Sequence, residues 1–225
     1  MTRFFTIFCT SLGNKVLVAL TGLVLAGFVV FHMLGNLQVF EGQEALNTYA
    51  AFLRELPILL WSARIGLLLT AALHIGLTIQ LVIRNRRARP VAYASRVYRQ
   101  ASISSRSMAL TGSLVLLFIV FHLLHLTAGV VDPSFVDRLD PRGHRDVYSR
   151  MIHTFQIPWF ALFYLLAQGV LAVHLSHGVS SSLQTLGLEH PILNRVFRAA
   201  GPFVAGTVAL GNSAIVLAIA LGVLR

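Results

Sequence analysis

The chain has 225 residues, 56% of them hydrophobic and 12% charged, with a mean hydropathy of +0.75, which excludes a soluble domain of useful size and points to a polytopic membrane domain. The net charge of +10 does not signal nucleic acid, because the arginines fall between apolar runs with no aromatic-studded basic patch beside them. A single cysteine, Cys9, excludes an intrachain disulfide, c-type haem attachment and an iron–sulfur cluster held by this chain alone.

Five spans are predicted, at residues 15–37, 61–83, 108–130, 158–180 and 202–224. Each is long enough to cross a hydrocarbon core of ~30 Å at ~1.5 Å per residue. The first, VLVALTGLVLAGFVVFHMLGNL, holds no charge and is too long for a signal h-region, so it is expected to stay as a span. The following loop contains EALNTYAAFLREL, where Leu46, Tyr49, Ala50, Leu53 and Leu56 recur at helical spacing. A short helix lying in the membrane interface is expected there. Glu41, Glu44 and Glu55 outweigh Arg54 in that loop.

The second loop carries Arg84, Arg86, Arg87, Arg89, Arg96, Arg99 and Arg106 and no acid, which assigns it to the cytoplasmic side. Asp132, Asp137, Asp140 and Asp146 mark the third loop as outer, and Arg195 and Arg198 against Glu189 mark the fourth as inner. Arg3 and Lys15 precede or open the first span. The expected topology is therefore N-terminus inside and C-terminus outside. Pro158 and Pro202 are expected at helix starts, where a missing N–H costs nothing.

Four spans each carry a histidine at membrane depth: His32, His74, His122 and His174. An ionisable group there is costly and marks a functional site by default. Counted from the inner helix ends, His32 and His122 lie ~25 and ~21 Å deep, and His74 and His174 ~14 and ~9 Å. They form two layers, each with one histidine from each of two helices. Two stacked haems of the b type, each iron taking two axial imidazoles, require that arrangement. Gly35, Gly76 and Gly178, close behind three of the histidines, could leave room for a flat ring, although such residues also mark ordinary helix contacts. No predicted span contains Asp or Glu, which argues against a proton-driven carrier. His125 and His177, one turn beyond His122 and His174, compete with them as ligands, and depth does not separate His122 from His125. His144 and His153 read as loop or interface residues, and His190 as solvated.

Several motifs together resemble one family. They are LTGLVLAGFVVFHMLGNLQVF, EALNTYAAFL, RIGLLLTAALHIGL, FIVFHLLHLTAG and AVHLSHGVSSSLQTLG, and they cover nearly the whole chain. They resemble the five-helix, di-haem cytochrome b anchor of bacterial succinate dehydrogenase and fumarate reductase. The resemblance favours His174, which precedes Gly178 and Gly187 at the family's spacing, over His177, and Phe121-His122-Leu123 over His125. It implies an all-α bundle in the bacterial cytoplasmic membrane, with His32 and His122 on a distal haem and His74 and His174 on a proximal one. It further implies a flavoprotein and an iron–sulfur partner that carry out the dicarboxylate chemistry, membrane lipid around the bundle, and a quinone, menaquinone by the same resemblance. Ala172 stands where some members place a glutamate of a proton route, so that route is not expected here. Lys15, Arg64, Arg84 and Arg106 are candidates to meet haem propionates, and Asn36, Gln38 and Glu55 to line a quinone site. The alternatives are the cytochrome b of a hydrogenase, formate dehydrogenase or ascorbate-linked system, and a membrane carrier without haem.

Overall fold

The computed structural model describes residues 10–88, 102–188 and 192–225. Arg3, Cys9, Arg89, Arg96, Arg99, Glu189 and His190 lie outside the described residues. The described chain is helical, with one isolated bridge between Leu139 and Arg145. Helix α1 is Ser11–Asn36, capped by the Thr10 hydroxyl, which accepts from the Gly13 N–H at 3.0 Å. A 3₁₀ turn, Leu37–Glu41, and Gly42 at φ +99° lead into α2, Gln43–Glu55. Next come α3, Pro57–Ala88, a single turn α4, Ile103–Arg106, and α5, Met108–His122, which ends in a π turn, Leu123–Thr127. Helices α6, Val147–Gln156, α7, Pro158–Thr185, and α8, Asn194–Ala220, complete the chain.

Helices α1, α3, α5, α7 and α8 are long and apolar enough to cross a membrane. They correspond to the five predicted spans and define an all-α polytopic bundle. Large apolar side chains such as Ile58, Leu68, Leu117, Leu166, Phe203 and Leu210 stand more than 60% exposed, a surface that suits lipid and not water. The short helix predicted after the first span forms as α2, and a second short helix, α6, lies in the third loop. Its signals were present: Asp146 caps it by accepting from the Ser149 N–H at 3.0 Å, and Met151, Ile152 and Phe155 form its buried face.

Pro202 is not at a helix start, because α8 begins eight residues earlier and carries it inside. A proline there strips the carbonyl four residues back of its partner. That carbonyl is Arg198, and the Ser180 hydroxyl of α7 donates to it at 3.0 Å while accepting from the Gly201 N–H at 3.1 Å. The side chain of one span thus repairs the break in its neighbour. Gly201 permits the approach, since a Cβ there would collide with the Ser176 carbonyl.

Helix α7 is central. It packs along α8, α1 and α5, while α3 packs against α1 and makes no extended contact with α5 or α7. Two apolar clusters bind these helices. One joins Ala26 and Met33 of α1 to Leu171 and Leu175 of α7 and Val208 of α8. The other gathers Val39, Leu46, Phe155, Tyr164 and Ile219 toward the α2 and α6 end. Polar side chains add interhelical bonds: Asn14 to Gln80 at 2.8 Å between α1 and α3, and Asn212 to Gln168 at 3.0 Å between α8 and α7.

The acidic third loop does more than mark a side. Asn47 of α2 is fully buried and donates to Asp140 and Asp146, both at 3.1 Å, while its own oxygen accepts from the Tyr148 N–H at 3.0 Å. Gln43 adds a bond to Asp146 at 2.9 Å. Burial alone would raise both carboxyl pKa values. For Asp140 it is outweighed by the His144 N–H, Asn47 and the Arg142 N–H, and for Asp146 by Ser149, Asn47 and Gln43, so both stay below the usual carboxylate range. Groups with depressed folded pKa values contribute stability that is full above the unfolded pKa of about 4 and is lost as the pH falls through the folded value. Asn47→Leu should lower the unfolding temperature at pH 7 by about 3–8 °C. The gap from wild type should narrow in scans below about pH 4; a gap that stays constant would mean that Asn47 acts by packing and not through the two carboxylates.

Candidate functional site

The sequence-predicted histidines fall on α1, α3, α5 and α7, and the structure gathers them between those helices. In one layer the His32 and His122 rings lie 5.9 Å apart between centroids, at an interplanar angle of 87°. Phe28 stacks on His32 at 5.5 Å, and Phe118 lies 5.7 Å from His122. The Asn36 amide donates to His32 Nε2 at 3.1 Å, and the Tyr164 hydroxyl stands 3.4 Å from His122 Nδ1.

His125 was the rival of His122. Its ring is 0% exposed and sits 4.2 Å from Phe160 and 5.3 Å from Phe121. Its Nδ1 meets the same Tyr164 hydroxyl at 3.2 Å, and its Nε2 has no hydrogen-bond partner among the described residues. The side chain brought to His32 is therefore His122.

The other two histidines, His74 and His174, are each held by a hydroxyl on the adjacent helix. His74 Nδ1 stands 3.1 Å from the Thr21 hydroxyl of α1, and His174 Nδ1 stands 3.2 Å from the Thr111 hydroxyl of α5. A Cβ on Gly22 would come 3.1 Å from His74 Cε1, and one on Gly112 would come 3.2 Å from His174 Cε1. The glycines that admit the rings are thus Gly22 and Gly112. Gly35 instead makes room for the Tyr49 ring, and a Cβ on Gly76 or Gly178 would meet no histidine.

These threonines and glycines escaped the sequence reading, yet a signal for them exists. Ala19-Leu20-Thr21-Gly22 recurs as Ala109-Leu110-Thr111-Gly112, and Phe28, Val30, Phe31, His32 and Leu34 recur as Phe118, Val120, Phe121, His122 and Leu124, ninety residues on. Ala72-Leu73-His74 answers Ala172-Val173-His174 more weakly. The first four spans are two copies of a helical pair in the same orientation.

Two imidazoles per layer limit what can bind. Among the described residues no group of three or more His, Cys, Asp or Glu forms. A bare zinc ion takes three or four protein ligands, so a two-imidazole site calls for a metal that brings its own equatorial donors. Metal–imidazole bonds of ~2.0 Å separate the centroids of two trans rings by roughly 6 Å, close to the His32–His122 spacing. For the His32–His122 pair that spacing would suit an iron macrocycle once His32 gave up its bond to Asn36.

The other predicted contacts are scattered. Arg64 lies over the Trp61 ring at 5.1 Å, and Lys15, Arg84 and Arg106 are exposed. Gln38 lines an open hollow with Glu41, Glu44, Tyr49 and Arg142, closed on one side by the Arg142–Glu44 ion pair; Asn36 and Glu55 do not line it. His144 lies 3.6 Å from Asp140 in the third loop, whereas His153 sits on α6, 3.2 Å from Asp132.

Fold and site define a multi-pass helical membrane protein with histidines paired across an internal repeat. No family model matches the chain, and neither a curated protein nor a solved structure does.

The unpartnered Nε2 gives a direct test of His125. A buried imidazole nitrogen without a partner costs about 1–3 kcal/mol. His125→Phe should hold the unfolding free energy within about 1 kcal/mol of wild type or raise it, since the cage is aromatic and Tyr164 retains His122. A loss above about 2 kcal/mol in detergent unfolding would reveal a polar partner for that nitrogen.

Proposed function

We propose that this chain is the di-haem cytochrome b anchor of a succinate:quinone oxidoreductase in the bacterial cytoplasmic membrane. The observation that carries the reading is the pairing of histidines at equivalent positions of the repeat, in two layers. When bound, each haem supplies an Fe(III)/Fe(II) couple that moves one electron at a time. His32 and His122 would hold the distal haem, and His74 and His174 the proximal one. With two axial imidazoles the iron has no open position, so these residues direct the site to electron transfer and away from oxygen binding.

The arginines at the end of α3 and in the loop beyond favour the cytoplasmic side for that end, which is also the side of His74 and His174. An iron–sulfur subunit docked there, with its flavoprotein, would meet the proximal pair. The dicarboxylate step belongs to those partners, and this chain takes no catalytic part in it. A membrane quinone, menaquinone by the family resemblance, would exchange electrons near the distal pair. Ala172 offers no carboxylate for a proton route beside His174.

The haem-to-protein ratio of the purified complex, with a redox titration, tests the reading. Two haems per chain with two midpoint potentials are expected, in company with a flavoprotein and an iron–sulfur protein. A colourless preparation made with ample haem would end it, and co-purification with hydrogenase or formate dehydrogenase subunits would move the chain to another di-haem cytochrome. His74→Ala or His174→Ala should remove one haem and leave the other, while His125→Ala and His177→Ala should keep both. Unchanged spectra in the first two variants would cancel the ligand assignment.

A further inference from the structure

We propose that Thr21 and Thr111 are positioning residues that fix the tautomer and ring orientation of His74 and His174, so that the inner pair is set as Nε2 ligands before any metal arrives. The redox part of this inference rests on the haem reading above; the tautomer part rests on the hydrogen bonds alone.

A threonine hydroxyl has one proton and two lone pairs. In Thr21 the proton goes to the helix itself: Oγ1 donates to the Leu17 carbonyl at 2.7 Å, with the Val18 carbonyl at 3.2 Å. In Thr111 it goes to the Ser107 carbonyl at 3.1 Å, with the Met108 carbonyl at 3.3 Å. Back-bonding of this kind is the ordinary choice for threonine in a membrane helix, where no water competes. With its proton committed, each oxygen can only accept from the imidazole. The neighbouring ring nitrogen, 3.1 Å away in His74 and 3.2 Å away in His174, is then Nδ1–H. A neutral imidazole with its proton on Nδ1 has its lone pair on Nε2, the form that binds a metal.

The glycine beside each threonine completes the device. The Nδ1–Cε1 edge of His74 lies against α1 at Thr21 and Gly22, and the same edge of His174 lies against α5 at Thr111 and Gly112. That contact turns Nε2 away from the supporting helix. Two copies of one Thr-Gly pair therefore hold two histidines in the same way, each across a helix boundary. The outer pair has no such support. His32 spends Nε2 on Asn36, and His122 shares Tyr164 with His125.

The inference is tested on the full chain in two states. In haem-free protein with ¹⁵N-labelled histidine, His74 and His174 should give the Nδ1–H neutral tautomer; finding Nε2–H at either would overturn the proposal, whether or not haem ever binds. In the haem-bearing complex, Thr21→Val and Thr111→Val keep the shape and remove the hydroxyl, which leaves His74 only its backbone bond to Val18. Each should weaken retention of one haem roughly 10–100-fold, raise its midpoint potential because the ligand loses basicity, and shift its low-spin EPR signal, with the second haem unchanged. Thr21→Ser and Thr111→Ser should restore all three readings. Valine variants with wild-type haem content, potential and EPR signal would overturn the proposal. If they fail to fold, the wild-type tautomer measurement decides it. A colourless wild type would sink the haem reading and leave the tautomer result to judge this one.

Discussion

An imidazole has two nitrogens, and inside a hydrocarbon layer each needs a partner. Water would supply both at a surface; between membrane helices every bond must come from protein or from a ligand. The bundle answers this for His74 and His174 with a threonine on the adjacent helix, at 3.1 and 3.2 Å. The answer covers one nitrogen only. Each ring is thereby tied at its Nδ1 edge to the helix beside it, with α3 resting on α1 and clear of extended contact with α5 and α7.

The repeat explains why those edges come in pairs. The recurring segment sets a Thr-Gly pair beside a histidine of the next span each time, Thr21 beside His74 and Thr111 beside His174. Helix α8 has no counterpart in the repeat. It attaches to α7 and α1 through close approaches, Gly201 against Ser176 and Gly211 against Met33, and through the Ser180 bridge over Pro202. It thereby closes one flank of the bundle without contributing a histidine.

The sequence made the spans legible because hydropathy is a sum over some twenty residues and survives errors at the ends. The four histidines were legible because an imidazole is conspicuous in an apolar run. Helix α6 was not, since Asp146 reads equally well as a surface charge and as a cap, and only the partner Asn47 decides between them. Pro202 misled for a similar reason: the residue that makes it tolerable inside a helix, Ser180, sits on another span. The supporting Thr21 and Thr111 were hidden because threonine is common in membrane helices and its back-bond to the preceding turn is invisible in a sequence. Gly22 and Gly112 stand ten residues before the histidine of their own helices, so proximity along the chain pointed to other glycines.

The choice between His122 and His125 was ambiguous for a physical reason. Both imidazoles reach one hydroxyl, that of Tyr164, at 3.4 and 3.2 Å. One phenolic proton can be donated to only one of them, and the other must donate to the phenol oxygen in turn. The π turn that begins just after His122 lets His125 swing toward Phe160 and bury completely, while His122 keeps its face toward His32. Tyr164 therefore ties the second imidazole of the outer layer to a neighbour that takes no part in the pair. That tie is longer than the threonine bonds of the inner layer, and with the Asn36 contact on His32 it leaves both outer imidazoles bonded to residues outside the pair.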